Sequence, residues 1–419
     1  MPGAARESLL VPAGTTLAAK AERFERDVAE RFLSPEGTFQ YVQRADAPGF
    51  EHADLADVPI WGGALLGAEA LRFLATRDPA ARDATLRLVR GMNFLQEVTG
   101  VRGLLARNAV LRDAVPPGDG TVFFDGARPH ERFLYRGDVS RDQYAGALFG
   151  YALAWFALAD DPEVAAAVRA GAAPIADHLI EHDFRLVERD GSFTKHGDLR
   201  FRWGGIVPIG INAAISLLAL KLAAVSTGEE RFALEYRDLV SRGAAGAVYW
   251  SKFQILGKTN QNNDNMQVMA SLPLVLLERE PEIREAYVAG FARTWEYVRL
   301  EGNSFFTLAT AAVMPVERRA IDEARSTLFR FPLDRSRMLV DVRGVEAFGR
   351  ATFTNRRGVE KADGAIPISY RAPSTFAWRD DPFALVTGGS PEGTQVYAAA
   401  DYLLAYWLGR ATSFVKEGD

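Results

Sequence analysis

Residues 137–144 read GDVSRDQY and run straight into AGALFGYALAWFAL. Two aspartates, Asp138 and Asp142, therefore stand four residues apart at the entrance of a helix with almost no polar face. A pair of carboxyl groups can divide acid–base work, one giving a proton while the other takes one or attacks. The same residues also suit a plainer role. Ser140 followed three residues later by Gln143 is a capping box, which starts the helix at Ser140. An aspartate in a first turn complements the positive end of the helix dipole. Asp142 falls inside that turn and Asp138 just outside it.

Similar residues gather ahead of other apolar runs. Asp54, Asp57 and Trp61 open one of them. HGDLRFRWGG, 196–205, brings His196, Asp198, Arg202 and Trp203 to a second. TNQNNDN, 259–265, brings Asn262, Asn263 and Asp264 to a third, more amides than one N-cap uses. With Arg136 and Tyr144 these make a set of aromatic rings that stack on pyranose faces and polar groups that bond hydroxyls. Asp142 with Asp138, or Asp142 with Asp264, would supply the two carboxyl groups that flank a glycosidic bond during hydrolysis. The arginines at 132, 136, 141, 200 and 202 point to an acidic sugar. They keep a polysaccharide lyase as the alternative, with Arg136, Arg202 or Asn263 neutralising a uronate while Tyr or His removes the proton.

One rival motif is present. HLIEH, 178–182, matches H-x-x-E-H, and two histidines four apart share a helix face as zinc requires. That helix reads as a peripheral one packing through Ile175, Leu179 and Ile180, with the histidines toward its exposed last turn. No third ligand presents itself, so no metal and no cofactor are expected. The chain has no cysteine, which excludes disulfides and thiolate chemistry. A net charge of -5 without a basic block argues against nucleic acid as a partner. The opening MPGAARESLLVPAG lacks a secretory pattern. The expectation is a cytoplasmic protein if Met1 is the native start, and a periplasmic or secreted one if the chain has been trimmed.

The elements that must hold these residues are helices of two kinds. Apolar or small-residue helices are predicted near 61–75, 144–159, 207–225, 264–277, 303–314 and 397–409. Amphipathic ones fall between them, near 15–33, 79–97, 163–182, 229–243, 281–300 and 316–327. The run 206–225 has the length of a membrane span but carries Asn212, Ser216 and Lys221, and is read as a buried helix. Arg77-Asp78-Pro79, Asp160-Asp161-Pro162 and Arg279-Glu280-Pro281 read as tight helix–helix turns, proline being tolerated in a first helical turn. Six buried helices alternating with six half-buried ones require two concentric layers. The expected fold is all-α, an (α/α)6 toroid, with residues 1–419 as one domain. Residues 328–393 lack periodicity and read as an extended excursion with a hairpin around 339–355.

This alternation resembles the six-hairpin toroid of many glycoside hydrolases and polysaccharide lyases. GDVSRDQYAGALFG, NNDNMQVMASLPLVLLEREPEIREAY and DYLLAYWLGR are similar to stretches in uncharacterised bacterial toroids of that group. The resemblance implies inner helices whose N-termini converge around a funnel, and a carbohydrate as the partner. Hydrolysis through carboxylates at the funnel is the first expectation and a uronate lyase the second. A toroid that only binds a glycan or a protein is the third.

Overall fold

The computed structural model describes residues 15–44, 56–114, 123–204, 206–251, 260–349, 360–389 and 395–419. Among these residues the longer helices are α1 (Leu17–Arg31), α2 (Val58–Thr76), α3 (Pro79–Glu97), α4 (Arg141–Leu158), α5 (Pro162–Glu181) and α6 (Gly210–Thr227). They continue with α7 (Glu230–Ser241), α8 (Gln261–Leu277), α9 (Pro281–Val298), α10 (Ser304–Val313), α11 (Arg318–Phe329) and α12 (Ala400–Ala411). Their burial separates them as the apolar pattern predicts. α2, α4, α6 and α8 bury residues on every side. α7 buries only Phe232, Tyr236 and Leu239, a single stripe at helical spacing.

Packing closes the even-numbered helices into a ring, in the order α2, α4, α6, α8, α10, α12 and back to α2, while α4 also touches α8 directly. The odd-numbered helices lie outside it: α3 on α2, α5 and α7 on α6, α9 on α8, α11 on α10 and α1 on α12. This is an (α/α)6 toroid. Both α2 and α6 are long and apolar enough to cross a membrane, and 78% of each apolar window is buried inside the molecule.

The tightest joint of the ring is a glycine seam. α2 carries GALLG from Gly63 to Gly67, and α4 carries GALFG from Gly146 to Gly150. A Cβ on Gly63 would lie 1.8 Å from the Gly146 carbonyl oxygen, and one on Gly146 would lie 2.3 Å from the Ile60 Cα. Only hydrogen at these positions lets the two backbones touch.

Connections from inner to outer helices are short. Asp78 caps α3 by accepting the Ala80 N–H at 2.9 Å. Asp161 caps α5 by accepting from Glu163 and Val164 at 3.1 and 3.0 Å. Each is followed by proline in the first turn, as expected. Connections from outer to inner helices, apart from the short 299–303 between α9 and α10, are long and most hold small strands, such as Asn108–Leu111 with Phe133–Arg136, and Arg185–Val187 with Phe193–Asp198. They all lie at the end where the ring helices begin, which is the mouth.

The excursion enters that mouth. Arg335 and Asp401 form an ion pair at 2.9 Å, with side chains only 3% and 0% exposed. Asp401 also accepts the Ala377 N–H at 3.0 Å, and Asn303 donates to the Trp378 carbonyl at 2.8 Å. Phe376 stacks on Trp61 at 4.9 Å and meets the edge of Phe305 at 6.2 Å. Residues 376–378 are thus a wedge between the starts of α2, α10 and α12. The hairpin expected around 339–355 is not what the chain builds. Val340–Asp341 pairs with Val386–Thr387, a long-range ladder that local turn signals could not reveal; residues 350–355 of that expectation lie outside the described residues.

Candidate active site at the mouth of the ring

The glycine seam brings the first turns of α2 and α4 into hydrogen-bond range. Gln143 donates from Nε2 to Asp57 Oδ1 at 2.9 Å, and its Oε1 accepts the Ile60 N–H at 3.4 Å. Ser140 is the N-cap residue as predicted, but the capping box does not form and its hydroxyl makes no cap hydrogen bond. Gln143 turns to the neighbouring helix instead. Ser140 Oγ donates to Asp142 Oδ1 and accepts from Arg107 at 3.1 Å.

Arg107, from the loop after α3, is the hub of this cluster. Its guanidinium also donates to Asp57 Oδ1 at 2.9 Å, to the Ala56 carbonyl at 2.7 Å and to the Asp138 carbonyl at 3.1 Å. One planar fork, made for several acceptors at once, ties the starts of two ring helices together. Asp142 stands half-buried beside it. Asp138 is exposed, with a left-handed φ of 53°, and its Oδ1 accepts the Lys195 N–H at 2.8 Å. Asp54 lies outside the described residues.

Between α4 and α6, Arg141 donates to Asn212 Oδ1 at 3.0 Å, and Asn212 donates to the Asp198 and Arg200 carbonyls, both at 2.9 Å. The Asp198 carboxylate is gripped by the Arg200 side chain at 3.0 and 2.6 Å, which holds it below the usual carboxylate range. His196 is exposed on the strand Phe193–Asp198. Arg202 donates to the Arg242 carbonyl at 2.5 Å and lies over Phe201. Trp203 enters through its backbone, paired with Val207. Arg136 is half-buried, and its guanidinium has no partner among the described residues.

At the start of α8, Asp264 is buried in the first turn. The Asn263 N–H donates to the N-cap Asn260 at 3.3 Å, and Gln261 donates to Glu301 at 3.2 Å. Asn262 Oδ1 and Asn265 Oδ1 are buried acceptors with no hydrogen-bond partner among the described residues. On the wedge, Arg379 lies over Trp61 at 5.0 Å. Loss of water contact pushes the neighbouring Asp380 carboxyl up, against the pull of Arg379, Arg371 and Arg337.

The aromatic expectations need correction. Tyr144 is fully buried, its hydroxyl donating to the Gly103 carbonyl at 2.8 Å and accepting the Leu105 N–H at 3.1 Å. It ties α4 to the loop behind it and has no face for a sugar. Trp61 is covered by Phe376, although its buried Nε1 has no partner among the described residues. The histidine motif is also placed differently. His178 is buried rather than exposed, with Nδ1 on the Arg102 carbonyl and Nε2 accepting the Val187 N–H, both at 3.1 Å. Burial, with His182 beside it, pushes its pKa down to about 4.

The residues that sequence reasoning missed are Arg107, Glu188 and the wedge. Arg107 and Glu188 act on segments far away along the chain, and nothing in their local spacing marks them. No protein-family profile matches this chain, and no curated protein is significantly similar to it in sequence. Solved structures are similar in fold. A family 76 glycoside hydrolase from a bovine Bacteroides thetaiotaomicron strain is 9% identical over 96% of this chain and 78% of its own, with a TM-score of 0.49. A metagenome-derived family 9 endoglucanase is 14% identical over 95% and 80%, with a TM-score of 0.46. A sugar epimerase from a ruminal bacterium is 10% identical over 92% and 98%, with a TM-score of 0.44.

Proposed function

We propose that this protein hydrolyses glycosidic bonds of an oligo- or polysaccharide at the mouth of the ring, with Asp142 and Asp264 as its carboxyl pair and Asp138 beside them. One observation carries the reading. Asp142 and Asp264 occupy the first turns of α4 and α8, two ring helices in direct contact, and Asp264 has the unengaged Asn262 and Asn265 oxygens next to it in the chain. Buried acceptors without donors are costly unless something satisfies them, and a sugar presents a hydroxyl donor on almost every carbon.

In this reading Asp142, half-exposed and held by the Ser140 hydroxyl, activates water or attacks the anomeric carbon. Asp264, the more buried of the two, protonates the leaving oxygen. The half-buried Arg136 guanidinium favours a substrate with an acidic substituent. A lyase would need a tyrosine or histidine base at the mouth. The Tyr144 hydroxyl is already engaged on both sides, which removes it as a lyase base and leaves the exposed His196 as the residue that reading would need.

The test is a panel of neutral and uronate-containing glycans. Hydrolysis should release reducing ends without new ultraviolet absorbance. Asp142→Asn should lower kcat by about 10²–10⁴-fold, as loss of an acid–base group does, with an unchanged melting temperature. Absorbance growing with turnover, or no activity on any glycan, would overturn the proposal.

A further inference from the structure

We propose that Glu188 is a positioning residue of this site: it holds Asp138 in its left-handed conformation and so fixes where the Asp138 carboxylate is presented. The inference rests on the hydrolase reading for its consequence and on geometry for its basis. Glu188 lies in the hairpin between α5 and α6, after the strand Arg185–Val187. It is only 7% exposed, an unusual place for a glutamate. Its Oε1 accepts the Asp138 N–H at 2.7 Å, and the Val139 N–H faces the same carboxylate. Two successive backbone donors around one anion form a small nest, and a left-handed residue is what turns them toward the same point.

Asp138 has φ 53°, a conformation most side chains avoid and that aspartate tolerates better than most. Its neighbour Gly137 could not be larger, since a Cβ there would meet the Phe124 ring at 2.4 Å and Glu188 Oε1 at 3.2 Å. Arg107 holds the same turn from the other side through the Asp138 carbonyl, at 3.1 Å. The backbone of Asp138 is therefore clamped at both its N–H and its C=O, while its side chain stays exposed. A helix cap needs none of this, because α4 is already begun by Ser140. Strain maintained by a buried acid on one side and a half-buried fork on the other is typical of a residue whose direction matters.

The clamp has a built-in pH response. Glu188 Oε2 is buried with no partner among the described residues, so that oxygen is where a proton would sit. Burial raises the Glu188 pKa, the two N–H groups oppose it, and the charges of Asp138 and Asp190 raise it further. The other titratable groups facing it are Tyr135 and Tyr144, both raised by burial and neutral at working pH; Arg189 acts on Tyr135. Protonation weakens the hydrogen bond that Glu188 accepts from the Asp138 N–H. Activity should therefore decline on the acid side at a higher pH than an ordinary glutamate would give.

The experiment compares full-length wild type, Glu188→Gln and Glu188→Ala by hydrogen exchange at the Asp138 and Val139 amides and by glycan hydrolysis against pH. Glutamine keeps an acceptor for the Asp138 N–H and cannot titrate. It should keep the melting temperature and amide protection and move the acid limb to lower pH, with kcat near wild type. Alanine should quicken exchange at the Asp138 amide by about tenfold or more, as a lost buried hydrogen bond implies. It should also lower kcat on the order of a hundredfold with KM little changed, as misplacement does. Unchanged exchange in Glu188→Ala would overturn the proposal. So would a Glu188→Gln variant as inactive as alanine with its amides still protected, which would make Glu188 a reacting group. If wild type hydrolyses no glycan, the hydrolase reading fails while amide exchange still decides the clamp.

Discussion

Arg107 joins three chain segments through four acceptors, and its partners differ in what they ask of it. The Ala56 and Asp138 carbonyls and the Ser140 hydroxyl need only donors, whereas Asp57 needs a charge as well. A lysine supplies the charge but cannot reach four directions at once. Arg107→Ala should cost about 2–3 kcal/mol, within the range for breaking a partly buried charged network. Arg107→Lys should recover less than half of that, and both should lower activity more than stability alone explains. Chemical denaturation and kcat on the same preparations check this. A lysine variant indistinguishable from wild type would show that the fork geometry is irrelevant. Asp142 belongs to the same network through Ser140, so the Asp142→Asn test and this one should be read together.

For the elements, the glycine seam decides how far apart the two halves of that network lie. Replacing glycine by alanine inside a helix ordinarily gains about 1 kcal/mol from backbone entropy. At Gly146 the added methyl would sit 2.3 Å from the Ile60 Cα, so the helices must separate. The clash outweighs the propensity, and Gly146→Ala should destabilise by about 3 kcal/mol, at the upper end for overpacking a core. It should also weaken the Gln143 to Asp57 contact. Gly246, in the single turn Ala244–Ala247, is a control because a Cβ there meets nothing within 4 Å. Gly246→Ala should be neutral or stabilising. Denaturation midpoints that move in the same direction for both variants would refute the seam as the tight joint.

Taken as a whole, the ring carries an acid that opposes stability at neutral pH. Glu69 of α2 is buried, and that burial pushes its pKa up to about 7, with Arg72 pulling the other way and Glu25 adding to the rise. Arg72 is shared, at 3.3 Å from Glu69, 3.4 Å from Glu25 of α1 and 2.7 Å from Asp78 before α3. Because the folded-state pKa lies above the ordinary glutamate value of 4.5, the folded protein binds the proton more tightly. This contribution is fully present below that value and is lost as pH rises through about 7, at most about 3 kcal/mol. His178 acts oppositely, since its pKa is pushed down to about 4 and its contribution is lost as pH falls below the ordinary histidine range. Wild type and Glu69→Gln should therefore be compared directly. The variant should lose less stability between pH 5 and 8, read by urea unfolding at several pH values. Parallel curves would refute the assignment.

The two-layer ring was legible in the sequence, because hydrophobic period and helix punctuation are local. WGGALLGAEALRFLA has apolar residues on every side, and a helix of that kind must be enclosed. EERFALEYRDLV has a single stripe and must lie outside. Asp-Pro at the turns stops one helix and starts the next without reference to anything distant. Asp142 could be placed in a first turn for the same reason. What Gln143 bonds could not be read this way. The capping box and the cross-helix contact use the same side chain, and only the close backbone approach that glycine at 63 and 146 permits puts Asp57 close enough to win it. Tyr144 looked like a mouth residue because it follows Asp142 by two positions, yet about 100° of turn per residue carries it to the opposite side of α4, onto Gly103 and Leu105. Arg107, Glu188 and Phe376 come from loops, whose paths depend on contacts made dozens of residues away. Their chemistry was visible in the sequence, and their meeting at Asp138 and Trp61 was a property of the folded ring alone.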